Sequence, residues 1–194
     1  SDCTTGHSNV IIGSYAGDAN TTASNNTAVG HSALGANTTG ANNVAVGMDA
    51  LLSNTTANNN TAVGMRSMFV NTTGASCTAL GFFTLNQNTT GGSNVALGDS
   101  ALRNNTTASN NVGVGNAALL NNTTGTENVA VGAFALDANT TANGNIAIGY
   151  ASLGANTTGA DNVAIGAFAL DANTTGHSNT AVGYLSLSAD TTGI

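Results

Sequence analysis

Apolar and polar residues follow a fixed beat along this chain. Short runs such as Asn162-Val163-Ala164-Ile165-Gly166 recur every 17 residues, closed by Gly13, Gly30, Gly47, Gly64, Gly81, Gly98, Gly115, Gly132, Gly149, Gly166 and Gly183. No insertion or deletion interrupts the series. With that glycine as position 5, the consensus is N-[TV]-A-[VIL]-G-x-x-[AS]-L-x-x-N-T-T-[GA]-x-x. Position 1 is Asn except at Cys77, position 9 is Leu except at Gly17 and Met68, and positions 13 and 14 are Thr in every unit. A strict period means that each unit stacks on the last in the same register. Seventeen residues are too few for a helix-pair repeat, which needs about 33 or more, and they suit one turn of a β-solenoid.

The alternation at positions 1 to 5 predicts a strand, with Val163 and Ile165 on one face and Ala164 on the other. On size, the bulky residues of positions 2 and 4 are expected inside, with the position 9 leucine. The invariant glycine predicts a corner with positive φ or a close backbone approach. Positions 6 to 11, as in Ala133-Phe134-Ala135-Leu136-Asp137-Ala138, contain good helix formers. A helix about 10 Å across does not match rungs about 4.8 Å apart, so a second short extended segment is expected, with a single helical turn as the alternative. Positions 12 to 15 predict the second corner. Four units carry Ala at position 15 (Ala23, Ala57, Ala108, Ala142), which argues against an obligatory positive φ there.

The fold class expected is therefore all-β: a β-solenoid of eleven 17-residue coils with parallel stacked strands and Asn/Thr ladders at the corners. Residues 1–8 form a partial leading repeat and residues 9–194 a single solenoid. The ladder at position 12 comprises Asn20, Asn37, Asn54, Asn71, Asn88, Asn105, Asn122, Asn139, Asn156 and Asn173, with amide bonding to amide up the stack, as at position 1. The Asn-Thr-Thr triplets also match a glycosylation sequon. Glycans on every rung would collide, so the ladder is the preferred reading.

Composition narrows function. Only 6% of residues are charged, Arg66 and Arg103 are the only strong cations, and the net charge is −7. Nucleic-acid binding needs a basic face, so it is not expected, and neither is attachment to an anionic membrane. No apolar run approaches the roughly 20 residues of a membrane span. His7, His31 and His177 are scattered, and stacked calcium sites would need an Asp in nearly every turn. No enzyme activity, cofactor or metal is expected. Cys3 and Cys77 replace Asn in the repeat; isolated thiols are the plain reading, and a disulfide between subunits the sharper one. The aromatic residues cluster at positions 6 (Phe82, Tyr150, Tyr184) and 7 (Tyr15, Phe83, Phe134, Phe168). They either cover a core edge or form an exposed stripe that packs against another subunit.

Ser93-Asn94-Val95-Ala96-Leu97-Gly98 and Asp161-Asn162-Val163-Ala164-Ile165-Gly166 resemble the head repeat of trimeric autotransporter adhesins. The Asn-Thr-Ala-Val-Gly arrays with Ala-Leu and Asn-Thr-Thr-Gly segments resemble those of phage tail-fibre-like proteins. The resemblance covers nearly the whole chain and implies a β-solenoid, in a trimer in the adhesins, displayed on a cell or virion surface for attachment. The function expected is an extracellular structural fibre or adhesin shaft. Neither end of the array shows a capping unit, so subunits are expected to stack end to end or laterally, as a homo-oligomer or filament. Two alternatives share the architecture: ice binding through a regular Thr/Asn face, and a glycan-binding tail-fibre segment.

Overall fold

The computed structural model describes residues 5–193 as a single β-solenoid with one short strand per coil. The strands are β1 (Val10–Ile12), β2 (Thr27–Val29), β3 (Val44–Val46), β4 (Thr61–Val63), β5 (Thr78–Leu80), β6 (Val95–Leu97), β7 (Val112–Val114), β8 (Val129–Val131), β9 (Ile146–Ile148), β10 (Val163–Ile165) and β11 (Thr180–Val182). They form one parallel sheet in chain order, and every pairing is offset by one repeat, as in Ala45↔Ala62. No helix among the described residues is long and apolar enough to cross a membrane.

The expected faces of the strand are inverted. The position 3 alanines (Ala28, Ala45, Ala62, Ala79, Ala96) are fully buried, whereas positions 2 and 4 face outward, with Leu80 at 50% and Ile148 at 38% exposure. The reason is the narrow bore of the coil. A Cβ built on Gly113, at position 3, would lie 3.3 Å from Leu102 Cγ and 3.3 Å from the Ala118 carbonyl oxygen. Nothing larger than alanine fits there without a compensating loss. The first coil shows that compensation: Ile11 occupies position 3 while Gly17 replaces the position 9 leucine, and a Cβ on Gly17 would lie 2.8 Å from Ile11 Cδ1. Across the bore, the position 8 residue and the position 9 leucine complete a continuous core.

Positions 6 to 11 are neither extended nor helical. They form consecutive tight turns, closed by bonds such as Ala33 N–H to the Gly30 carbonyl, Gly35 N–H to Ser32 and Asn37 N–H to Leu34. Non-glycine residues have positive φ at positions 7 and 9, and again at position 17; the leucines and methionine of position 9 lie between 47° and 55°. None of the three positions carries a β-branched residue, the class for which that region is most costly. The kinks send backbone donors alternately down and up the stack. Asp49 N–H reaches the His31 carbonyl in the coil before, and Leu51 N–H reaches Ser67 in the coil after. Most of the perimeter is thus bonded to neighbouring coils although only three residues per coil are strand. The position 5 glycines do turn the corner, with φ from 122° to 140°, and position 15 has no positive φ, as expected.

Both asparagine columns are interior. At position 12, Asn105 Nδ2 donates to Asn88 Oδ1 (2.8 Å) and to the Ala108 carbonyl (3.0 Å). This is the predicted amide-to-amide ladder. Position 1 differs from expectation, because its amide mainly serves backbone. Asn43 Oδ1 accepts from Asn60 N–H, and Asn43 Nδ2 donates to the Ala57 carbonyl. The position 15 carbonyl therefore takes a bond from each column and ties one side of the coil to the other. Position 13 adds a hydroxyl ladder, as in Thr72 Oγ1 to the Thr89 carbonyl at 3.0 Å.

Candidate surface sites

The outward side chains of positions 2 and 4 make a two-column aliphatic strip along the sheet. It contains Val, Ile, Leu and Thr and no charged residue. Its length is about 50 Å at about 4.8 Å per rung. β-branched residues suit this exposed pleat as they suit any strand, so local propensity and surface chemistry coincide.

Beside the strip, the corner at positions 6 and 7 carries the aromatics. Phe82, Phe134, Tyr150 and Tyr184 are exposed by 44%, 39%, 50% and 72%, and Phe83 and Phe168 are half-buried. They form an exposed ridge and do not close the core, whose layers are complete without them. Phe134, Tyr150, Phe168 and Tyr184 stand on successive coils in edge-to-face contact, with centroids 5.9, 5.2 and 6.4 Å apart. Phe82 packs edge-to-face on Phe83 at 4.2 Å. Such pairing offers aromatic faces and edges alternately to the outside.

The polar outliers gather at the same corner. Asp49 Oδ2 accepts from Arg66 Nε at 3.3 Å, and Asp49 Oδ1 lies 3.9 Å from His31 Nδ1. The Arg66 guanidinium sits over the Phe69 and Phe83 rings, 5.2 and 6.0 Å from their centroids, and Arg103 covers Phe83 at 4.9 Å. The remaining histidines stay apart: His177 Nδ1 accepts from Ala160 N–H at 2.9 Å, and His7 is exposed. No family model, curated protein or solved structure matches the chain.

The predicted ladder asparagines are all buried, from Asn20 at 3% exposure to Asn173 at 0%, so a folded chain presents no Asn-Thr-Thr amide to a modifying enzyme. Cys77 is interior too. Its Sγ lies 3.5 Å from the Gly91 carbonyl, in the place of a position 1 amide, and burial pushes its thiol pKa up. Cys77 presents no accessible sulfur for a disulfide to another subunit, and Cys3 lies outside the described residues. Two features escaped the sequence reading. One is the outward strip, hidden by the assumption that bulky residues lie inside. The other is a signal that was available: coils 8 and 10 share Ala-Phe-Ala-Leu-Asp-Ala-Asn-Thr-Thr (residues 133–141 and 167–175), while coils 9 and 11 share Gly-Tyr at 149–150 and 183–184. A 34-residue period is superposed on the 17-residue one.

Proposed function

We propose that this protein is a rigid structural rod, the shaft of an extracellular, cell-surface or virion-surface fibre, and that copies associate laterally through the aliphatic strip. One observation carries the reading: a narrow coil that buries alanine turns its larger strand residues outward along its whole length. Hydrophobic free energy that most folds place inside is here available to a partner. A second copy offers a matching uncharged face at the same rung spacing, so sheet-on-sheet packing keeps register. The resemblance to surface-displayed fibres points the same way.

Sedimentation of the parent chain and of Val46→Lys/Val63→Lys/Leu97→Lys tests this. The three side chains point outward, so the variant keeps its circular dichroism while its oligomers dissociate. A parent that stays monomeric throughout the micromolar range excludes lateral association.

A second reading, ice binding, is favoured by one feature. The position 14 threonine is exposed in coil after coil, from Thr22 and Thr39 to Thr175 and Thr192, giving an uncharged hydroxyl rank at constant spacing. Thermal hysteresis decides between the two; its absence at high concentration removes the ice reading and leaves the shaft standing.

A further inference from the structure

The aromatic corner differs between the two halves of the rod. In coils 4 to 6 its rings are occupied by cations of the chain itself: Arg103 lies over Phe83, and Arg66 lies over Phe69 and Phe83 while bonding to the Asp49 carboxylate. Arg66–Phe69 shows that side chains at positions 7 and 10 of one coil meet on the surface. Coils 8 and 10 carry a ring and a carboxylate at these two positions, with no cation. Phe134 and Phe168 stand at position 7, each with an aspartate at position 10 of its coil, Asp137 and Asp171. The chain carries no Lys or Arg after Arg103, whereas Glu127, Asp137, Asp161, Asp171 and Asp190 all follow it.

Neither aspartate has an ion-pair partner among the described residues, and the Asp137 carboxylate accepts from the local backbone N–H groups of Asp137 and Ala138. Asp171 Oδ1 is buried and accepts no hydrogen bond. Asp137 Oδ1 leans toward Gly154, the glycine that occupies position 10 in the coil between them, and lies 3.6 Å from where a Cβ would stand there. Burial raises the Asp137 pKa. A ring with a half-buried carboxylate three residues on in the same coil is a seat for a guanidinium or ammonium group, combining cation–π attraction with a charge-assisted hydrogen bond.

We infer that coils 8 to 11 bind an extended basic peptide, whose cationic side chains take the Phe134–Asp137 and Phe168–Asp171 seats with Tyr150 and Tyr184 between and beyond them. Like seats recur every second coil, about 9.6 Å apart at about 4.8 Å per rung. A peptide in the polyproline II conformation has three residues per turn and rises about 3.1 Å per residue, so every third side chain returns to the same side about 9.3 Å further on. The ligand therefore lies along the rod axis with a basic residue at every third position. The site is separate from the aliphatic strip and does not rest on the shaft reading.

The test is fluorescence anisotropy with a labelled peptide of four Arg-Gly-Ser repeats. Comparison peptides are one of equal charge with Arg at alternate positions and one with citrulline in place of Arg. The parent protein binds the Arg-Gly-Ser peptide most tightly and the citrulline peptide not at all. Asp137→Asn/Asp171→Asn weakens binding about tenfold or more, on the scale of a desolvated cation–π and carboxylate pair. Phe168→Leu, which keeps the bulk and the fold, also weakens it. Glu127→Gln/Asp161→Asn removes the same charge at position 17 and leaves binding within about twofold, because exposed charges contribute little. Equal losses from the two double variants mean general attraction to an acidic rod and overturn the proposal. So do indifference to arginine spacing, and binding of a neutral polysaccharide in place of the peptide.

Discussion

Leu102 sits at the middle of the rod, fully buried, with φ of 52°. Replacement by alanine removes three carbons from a bore that cannot collapse, because the coils above and below fix its walls. At about 0.8 kcal/mol per buried CH₂, plus a cavity term, the cost is about 3 kcal/mol. Replacement by glycine removes one more carbon and loosens the unfolded chain, adding about 1.5 kcal/mol together. At this backbone position, however, a Cβ is itself unfavourable by about 1 to 2 kcal/mol, and glycine relieves that strain. Leu102→Gly is therefore expected within about 0.5 kcal/mol of Leu102→Ala. Ala96 supplies the control: it is equally buried, lies in β6 and has no positive φ. There Ala→Gly costs the whole increment of about 1.5 kcal/mol with nothing to offset it. Urea unfolding followed by circular dichroism, with m-values compared, measures all three. A Leu102→Gly protein less stable than Leu102→Ala by about 1.5 kcal/mol or more would refute the claim that the leucine column is held in a strained backbone.

Other substitutions probe the corners. Gly98→Ala places a Cβ 2.7 Å from the Gly115 carbonyl oxygen at φ of 122°; it should cost more than about 3 kcal/mol and split calorimetric unfolding into two blocks, as expected of a nearest-neighbour array. Asn105→Leu keeps the branching and the number of heavy atoms but strips partners from Asn88 Oδ1 and Asn122 Nδ2; a loss of about 3 kcal/mol in urea midpoint analysis is expected. Asp137 has its pKa raised by burial, so on raising the pH the unfolded chain ionises there before the folded one. Stability is lost as pH climbs from the ordinary carboxylate range through the raised value. Asp137→Asn should therefore be more stable than the parent at neutral pH and equal to it in strong acid, and a difference that does not vary with pH would contradict the desolvation.

Much of this fold is legible in the sequence because the repeat makes it so. The invariant glycine announced its corner, the asparagine column its ladder, and the leucine its inward direction. Alternation within Val163-Ala164-Ile165 separates two faces but does not say which is inside. Only the bore does, and the bore is set by turns at positions 6 to 11 that leucine does not advertise, since leucine is no usual left-handed residue. The reciprocal Ile11 and Gly17 exchange was visible as two exceptions, yet their contact was not. At the aromatic corner, residue types were legible and partners were not. Pairing of Arg103 with Phe83 crosses coils, and the orphaned carboxylate oxygen of Asp171 emerges only from packing.

The one-repeat offset of every strand pairing has a kinetic consequence. Parallel sheets are usually slow to assemble, because distant segments must find one another before any contact is rewarded. Here each new strand seeks a neighbour just 17 residues earlier, a loop short enough to close in well under a microsecond. A nascent chain leaving the ribosome could lay down rungs in the order of synthesis, each finished turn templating the next, so that a long rod need be no slower to start than a short one.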